Sequence, residues 1–380
     1  MMQKKISAAV LAAALTASAL TGCGNGGGNA GNTGSTQKQE PQQVQTDTEL
    51  ADGTQAADGT QASGPETEQP DETDYPEITS EEKVVDYGSV VVVGNAAYEL
   101  YTYLDEPAEN YAQTVNKVAK NLSGKAQVYD LVIPLGSGIT FPDNLRGEIQ
   151  SGDQRDAVKQ ILAKFSGDVK GVDIYDSLME HRNEYIYFRT DHHWTALGAY
   201  YAYEDFCAVK GIEPEPIDSY EQVEFDNFLG SFYFNDTDEC EQLGKTPDVV
   251  TAYQPHMDAI MHIEDSRGVK YDSKVIYDES SAAASLKYSC FIAGDNPYTE
   301  IVNNELADGS SCVVVKESFG NSFIPFLVDH YQTIYVVDYR YWTGSVSELA
   351  AEKGAADVIF INNLSMIRNK NLVGKLYRLI

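Results

Sequence analysis

The sequence predicts an α/β domain with a mainly parallel sheet and a β-rich insert, and three observations carry that prediction. From about residue 83, short apolar runs of strand character alternate with stretches of helical spacing. Between residues 213 and 309 this rhythm gives way to short β-like runs with many turn residues and aromatics. From Ser311 the alternation of strand and helix resumes. Residues 83–380 therefore read as one domain with 213–309 as its insert.

The elements follow in order. Ser89 to Val93 is a short apolar strand ending at Gly94-Asn95. Pro107 to Leu122 carries Tyr111, Val115, Val118 and Leu122 at helical spacing, with its proline in the first turn, where an absent N–H costs nothing. Gln127 to Pro134 is a buried strand, and Arg155 to Phe165 a helix with Val158, Ile161 and Leu162 on one face. Val172 to Tyr175 reads as a strand and Thr195 to Lys210 as a helix ending before Gly211. In the insert, Phe228 to Phe234, Lys274 to Tyr277 and Tyr288 to Ala293 read as β-like. Beyond it come a strand at Ser311 to Val315, a helix at Ser322 to His330, a strand at Thr333 to Val337, a helix at Val346 to Lys353 and a final strand at Val358 to Asn362.

The N-terminus has a different character. Lys4 and Lys5 precede an apolar run from Ile6 to Leu20, shorter than the about 20 residues a bilayer span requires. The run ends in Leu20-Thr21-Gly22-Cys23, which resembles a bacterial lipobox. Residues 1–22 then read as a cleaved signal peptide, and Cys23 as the lipidated first residue of the mature chain. Residues 23–82, rich in Gly, Thr, Gln, Asp and Glu, hold too little apolar surface to offset chain entropy and read as an acidic linker. The expected location is the outer face of the cytoplasmic membrane, with the lipid as anchor.

A formal net charge of −31 argues against nucleic acid, whose phosphates need Lys and Arg, and against a polybasic membrane contact. Besides Cys23, Cys207, Cys240, Cys290 and Cys312 are scattered without a CxxC pair, so no structural zinc site is expected. Export permits disulfides, and buried free thiols are the preferred alternative.

Two segments carry residues suited to chemistry. In Thr190-Asp191-His192-His193-Trp194-Thr195 a carboxylate lies beside two of the six histidines. Such a carboxylate can accept from Nδ1–H, fix the tautomer and stabilise the imidazolium formed in proton transfer. The same residues also suit a helix cap with surface histidines, and, as a third option, a metal site. In Lys316-Glu317-Ser318-Phe319-Gly320-Asn321-Ser322 a strand enters a turn and a helix leaves it, a position at which open α/β sheets place their sites. Ser318 there suits a nucleophile, or Ser318 or Ser322 a plain cap. His181, His256, His262 and His330 have no partner set near them in sequence and read as structural. Most of the 25 tyrosines are read as core and rim residues.

Together, TDHHWT, SFGNSFIPFLVDHY, VVDYRYW and YSCFIAGDNP, in that residue content and approximate spacing, resemble the DHHW family of bacterial exported proteins. The likeness runs from about Val84 to the end of the chain. That family is similar in turn to the SGNH-hydrolase-like domains of alginate O-acetylation proteins, which carry an Asp-x-His-Trp motif and a distant serine. The resemblance implies a three-layer SGNH-like domain, with Asp191 as orienter, His193 as general base and Ser318 as nucleophile. It implies oxyanion N–H groups at Phe319 and Gly320, with Trp194 beneath the imidazole. Asn296 and Asn95 are candidate polar neighbours, and Arg340 with Asp338 a candidate substrate contact, or else a salt-bridged loop. Two departures stand out: Glu317 precedes the serine where related proteins often carry Asp, and no GDS block lies near the N-terminus. The implied activity is transfer or hydrolysis of O-acetyl groups on a cell-envelope polysaccharide, with a membrane-bound O-acyltransferase as partner and neither cofactor nor metal. The competing expectation is a glycan-binding or scaffold lipoprotein without turnover.

Overall fold

The structure, a computed structural model, describes residues 75–380. The expected leader, Cys23 and most of the linker lie outside the described residues. Ordered contacts begin before residue 83: Ile78 N–H donates to Asp143 Oδ2 at 3.0 Å, and the Asn144 amide bonds the Ser80 backbone on both sides.

A three-stranded antiparallel sheet comes first: β1 (Val84–Asp86), β2 (Val90–Val93) and β3 (Ala96–Glu99). All four β2 valines are buried, because alternate residues face opposite cores. Val90 and Val92 pack with Phe232 and Leu243, Val91 and Val93 with Phe141 and Leu145.

Helix α1 (Asp105–Asn121) then leads into β4 (Gln127–Ile133). The short α2 (Gly136–Ile139) and α3 (Gln154–Leu162) precede β5 (Val169–Val172), and α4 (Tyr175–Glu180) precedes α5 (Ala196–Lys210). The insert contains β6 (Glu221–Phe228), α6 (Glu241–Gly244), β7 (Asp248–Gln254), β8 (Ala259–Glu264), β9 (Lys270–Ser273) and β10 (Tyr298–Asn303). The chain closes with β11 (Ser311–Lys316), α7 (Gly320–Leu327), β12 (Thr333–Asp338), α8 (Val346–Lys353), β13 (Asp357–Asn363), α9 (Leu364–Ile367) and α10 (Lys370–Tyr377).

Eight strands form the main sheet in the order β5-β4-β13-β11-β12-β10-β8-β9. The first five are parallel, and the last three pair antiparallel. The expectation of a mainly parallel sheet is thus replaced by a mixed one. Strands β11 and β13 are buried along their whole length, as parallel strands covered on both faces must be. Strand β10 alternates half-buried and buried residues, and extends the sheet from within the insert.

Four local expectations are corrected. Val172 ends β5, and Tyr175 starts a helix. Phe232–Asp236 forms a π-helical turn and Ala284–Cys290 a 3-10 turn, where apolar and aromatic content suggested strands. Residues 274–277 contribute a single bridge, Ile276 to Phe291. Cys207, Cys240, Cys290 and Cys312 are free and buried, and burial pushes the Cys207 thiol up to about 12. No helix among the described residues is long and apolar enough to cross a membrane.

Candidate active site

The loop carrying Asp191 and His193 is folded back on itself and tied down from two sides. Tyr187 and Trp194 form an antiparallel bridge, and Thr195 caps α5 by accepting from Gly198 N–H. From the N-terminal sheet, Ala97 N–H donates to Arg189 O at 2.9 Å. From the insert, the fully buried Asp248 accepts from Arg189 N–H, Thr190 N–H, Thr190 Oγ1 and the Tyr185 hydroxyl. The nucleophile candidate comes from elsewhere. Ser318 lies in the turn between β11, in the middle of the main sheet, and α7.

These segments meet. His193 Nε2 lies 2.7 Å from Ser318 Oγ, and His193 Nδ1 lies 2.5 Å from Asp191 Oδ1. All three side chains are buried. Asp191 Oδ1 also accepts from His193 N–H at 3.0 Å, and Oδ2 accepts from Ser231 N–H at 2.7 Å. Burial pushes the Asp191 carboxyl up, but His193 and His192, with the hydrogen bonds from His193 and Ser231, hold it well below the usual carboxylate range.

The Asp191–Ser231 contact depends on Gly230. A Cβ on Gly230 would sit 2.1 Å from Asp191 Cβ, so the insert backbone approaches the carboxylate only because this residue has no side chain. Ser231 Oγ also lies 2.6 Å from His192 Nδ1. The His192 and His193 ring centroids are 3.8 Å apart; burial, then the neighbouring imidazole, lower the His192 pKa.

The aromatic ring lying flat on His193 is Tyr288, at 4.1 Å and 12°, not Trp194. The Tyr288 hydroxyl donates to Ser318 O at 3.0 Å, and Trp194 Nε1 donates to Phe319 O at 2.9 Å. Both aromatics therefore hold the serine turn as well as filling space.

Other expected residues are placed differently. Phe319 N–H donates to Glu317 Oε2 at 3.1 Å, and Gly320 N–H to Glu317 O at 3.0 Å, so both expected oxyanion donors are already engaged. The second Glu317 carboxylate oxygen accepts from Asn363 N–H at 3.2 Å, which ties the serine turn to the end of β13. Burial raises the Glu317 pKa. Asn296 donates through Nδ2 to Ala293 O, and Asn95 is exposed in the β2–β3 turn.

Arg340 lies in a charge cluster of which Lys316 and Asp338 are buried. It bonds Asp338 at 2.6 Å and Asp295 at 2.8 Å, and Lys316, which is 1 % exposed, bonds the same two aspartates at 3.1 Å. Asn321 Nδ2 adds a bond to Asp295. Two cations on two carboxylates form a closed set, which is the salt-bridged alternative for Arg340 and Asp338. Asp295 reaches the cluster through a sharp turn in which Ile292, Ala293 and Gly294 all have positive φ.

The histidines read as partnerless have partners. His181 meets Glu184, His256 meets Asp329 and Ser219, His262 meets Asp272, and His330 meets Tyr203. These contacts span up to 127 positions or lie on exposed faces, and nothing in the local sequence signals the long ones. Among the described residues, Asp191, His192 and His193 have ligand atoms within 4.8 Å of one another, close enough for one ion to reach all three. An ion there would compete with the Asp191–His193 bond and the His192–Ser231 bond.

A cleft of about 450 Å³ opens beside His192, walled by Glu99, Asn363, Ser365 and Arg368. Glu99 and His192 also border a small cavity running towards Tyr98 and Tyr187.

The family model described as DHHW protein matches residues 68–337 of the chain. A DHHW family protein from Eubacterium siraeum is 29% identical, with a TM-score of 0.70 over 80% of this chain and 99% of the other. PatB1 from Bacillus cereus, solved with a sulfonyl adduct, is 17% identical, with a TM-score of 0.63 over 78% of this chain and 99% of the other, a likeness of fold. The O-acetyltransferase domain of Pseudomonas putida AlgJ is 11% identical, with a TM-score of 0.42 over 78% of this chain and 99% of the other. No curated protein sequence matches the chain.

Proposed function

The chain belongs to the DHHW family, and from that premise we propose that it is an extracytoplasmic lipoprotein that transfers or hydrolyses O-acetyl groups on a cell-envelope polysaccharide. The observation that carries the reading is the hydroxyl–imidazole–carboxylate line, with Ser318 Oγ 2.7 Å from His193 Nε2 and Asp191 2.5 Å from Nδ1. In the first step Ser318 Oγ bonds the acyl carbon, its proton passes to His193 Nε2, and the donor's leaving group departs with that proton. In the second, a sugar hydroxyl or water bonds the acyl carbon and gives its proton to His193. The bond to Ser318 Oγ breaks, and the proton returns to the serine. Asp191 stays ionised throughout and stabilises the imidazolium. The fold assignment that goes with this chemistry is a three-layer SGNH-like domain.

Acetyl as the acyl group, a membrane-bound O-acyltransferase as its source and a polysaccharide as its destination rest on the likeness of the Asp-x-His-Trp and serine blocks to alginate O-acetylation domains. The lipid anchor on Cys23 at the outer face of the cytoplasmic membrane rests on Leu20-Thr21-Gly22-Cys23. Loss of labelled-palmitate incorporation in Cys23→Ser is the expected result for that anchor.

A sulfonyl fluoride tests the chemistry, since it reports an activated serine without any knowledge of the acceptor. We expect labelling at Ser318, slowed about 100-fold or more in His193→Ala. Equal rates in the two proteins would remove His193 from its role.

A second reading, a non-catalytic glycan-binding or scaffold lipoprotein, draws on the engagement of the Phe319 and Gly320 N–H groups by Glu317. It predicts that Ser318→Ala leaves the acetyl content of the cell surface unchanged.

A further inference from the structure

We propose that the cleft beside His192 is the acceptor-sugar site, and that it takes an uncharged sugar chain and rejects a polyuronate. The proposal rests on the acyl-transfer reading of Ser318, whose turn the cleft adjoins. One wall is His192, whose ring lies 3.8 Å from that of His193 at a tilt of 37°; another is Asn363, whose N–H holds the Glu317 carboxylate next to the serine. The volume of about 450 Å³ falls within the about 300–1,000 Å³ usual for small-molecule sites.

The polar groups of the cleft are fixed by bonds to the protein and yet have capacity left over. Asn363 is 1 % exposed; its Oδ1 accepts from Met366 N–H at 3.1 Å, which sets the amide orientation. Its Nδ2 donates to nothing among the described residues and remains as a donor on a residue lining the cleft. Glu99 Oε1 accepts from Arg368 Nη2 at 2.7 Å and from the Ser365 hydroxyl, while Oε2 accepts from nothing among the described residues. A fixed donor and a fixed acceptor in one cleft match hydroxyl groups, each of which donates and accepts. Leu104, 43 % exposed, and Met366 give the cleft an apolar side for the C–H face of a sugar ring.

Charge decides which sugar. The Glu99 carboxylate and the Arg368 guanidinium neutralise one another, and Arg368 Nη1 is taken by Leu100 O at 3.1 Å. The adjacent Lys370 is paired with Glu106 at 2.5 Å. A uronate carboxylate entering here would meet Glu99 without an unpaired cation to receive it, and that desolvation has nothing to offset it. The formal charge of −31 adds long-range repulsion against a polyanion.

Titration calorimetry on the full mature chain carrying Ser318→Ala tests this without any turnover. The probes are cellotetraose and chitotetraose, both neutral, and tetramannuronate, at low and physiological salt. We expect a neutral tetraose to bind at both salt concentrations and tetramannuronate at least about tenfold more weakly. We also expect Glu99→Gln in the same background to weaken the neutral ligand about tenfold. Tetramannuronate binding as tightly as the neutral probes, no neutral probe binding, or an unchanged affinity in Glu99→Gln would each overturn the proposal. The acyl-transfer reading fails by a different measurement, the absence of sulfonyl labelling at Ser318 in the unaltered protein.

Discussion

Gly230 and Asp191 are packed so closely that a Cβ on the glycine would lie 2.1 Å from the aspartate Cβ and 2.3 Å from Oδ2. That approach brings Ser231 N–H to Asp191 Oδ2 at 2.7 Å and Ser231 Oγ to His192. The 213–309 region therefore braces the acid that steers His193.

Gly230→Ala must push the insert away from Asp191, because the clash is with the carboxylate stem. The Ser231 N–H bond is then lost and the acid reorients. We expect a destabilisation of about 1–3 kcal/mol, typical of overpacking, together with sulfonyl labelling of Ser318 slowed about tenfold or more. Urea melts and labelling rates on one preparation check both. A destabilised variant that labels at the unaltered rate would confine Gly230 to packing.

Arg340 offers a second test, since its placement separates a substrate contact from a structural cation. With Lys316 it balances Asp295 and Asp338, and within the set Lys316 and Asp338 are buried. Removing one cation from such a cluster leaves a buried carboxylate underpaired, which costs about 3–5 kcal/mol. Arg340→Met and Lys316→Met are both expected to lower unfolding free energy by that order. A change in acceptor affinity with unchanged stability would return Arg340 to the substrate.

Glu317 bridges the two strand ends that form the site. Its carboxylate accepts from Phe319 N–H and Asn363 N–H, with Ser318 Oγ 3.4 Å away. Glu317→Gln keeps the shape but turns one accepting oxygen into an NH2 donor facing an N–H. We expect slower sulfonyl labelling of Ser318 and faster amide exchange at Phe319 or Asn363, measured by hydrogen exchange. Unchanged exchange at both amides would remove the bridge from the account.

What was legible in the sequence, and what was not, follows from the range of each interaction. Strands β4, β11, β12 and β13 announce themselves as continuous apolar runs between turn residues, α1 by its helical spacing and first-turn proline, and α5 by its Ala and Tyr content ending before Gly211. The motifs around Asp191, His193 and Ser318 are local enough to recognise, although the serine and histidine stand 125 positions apart. The mixed sheet was not legible, because alternation in β10 does not say which strand it will pair with or in which direction. Nor were the bracing residues. Phe228 to Phe234 has the aromatic content of a strand, and the contact that makes Gly230 irreplaceable comes from a loop 39 positions earlier. Tyr288 and Glu317 stood within or beside recognised blocks, but their roles were not legible, since those exist only once the serine turn meets the insert and β13.

The last prediction concerns the sheet beneath the site, where Asp130 on β4 is fully buried. Its Oδ2 accepts from the Tyr111 hydroxyl at 2.6 Å, and that hydroxyl accepts from Asn362 Nδ2 at 3.1 Å. Asp130 Oδ1 and Asn362 Oδ1 are buried without a partner among the described residues. Burial pushes the Asp130 carboxyl up to about 8, partly opposed by the Tyr111 bond, against about 3.9 for an unfolded aspartate. The folded chain therefore holds a proton that the unfolded chain releases. The contribution is fully present below about pH 4, falls by about 1.4 kcal/mol per unit as pH rises towards 8, and levels off above that. Asp130→Asn removes the titration and keeps the shape, and its Nδ2 supplies a donor in a place where acceptors are in excess. Urea unfolding at pH 4.5, 6 and 8 is expected to give the variant an advantage that grows with pH to a few kcal/mol. Parallel stability curves for the two proteins would mean that Asp130 is already ionised in the fold, with its charge met by groups other than Tyr111.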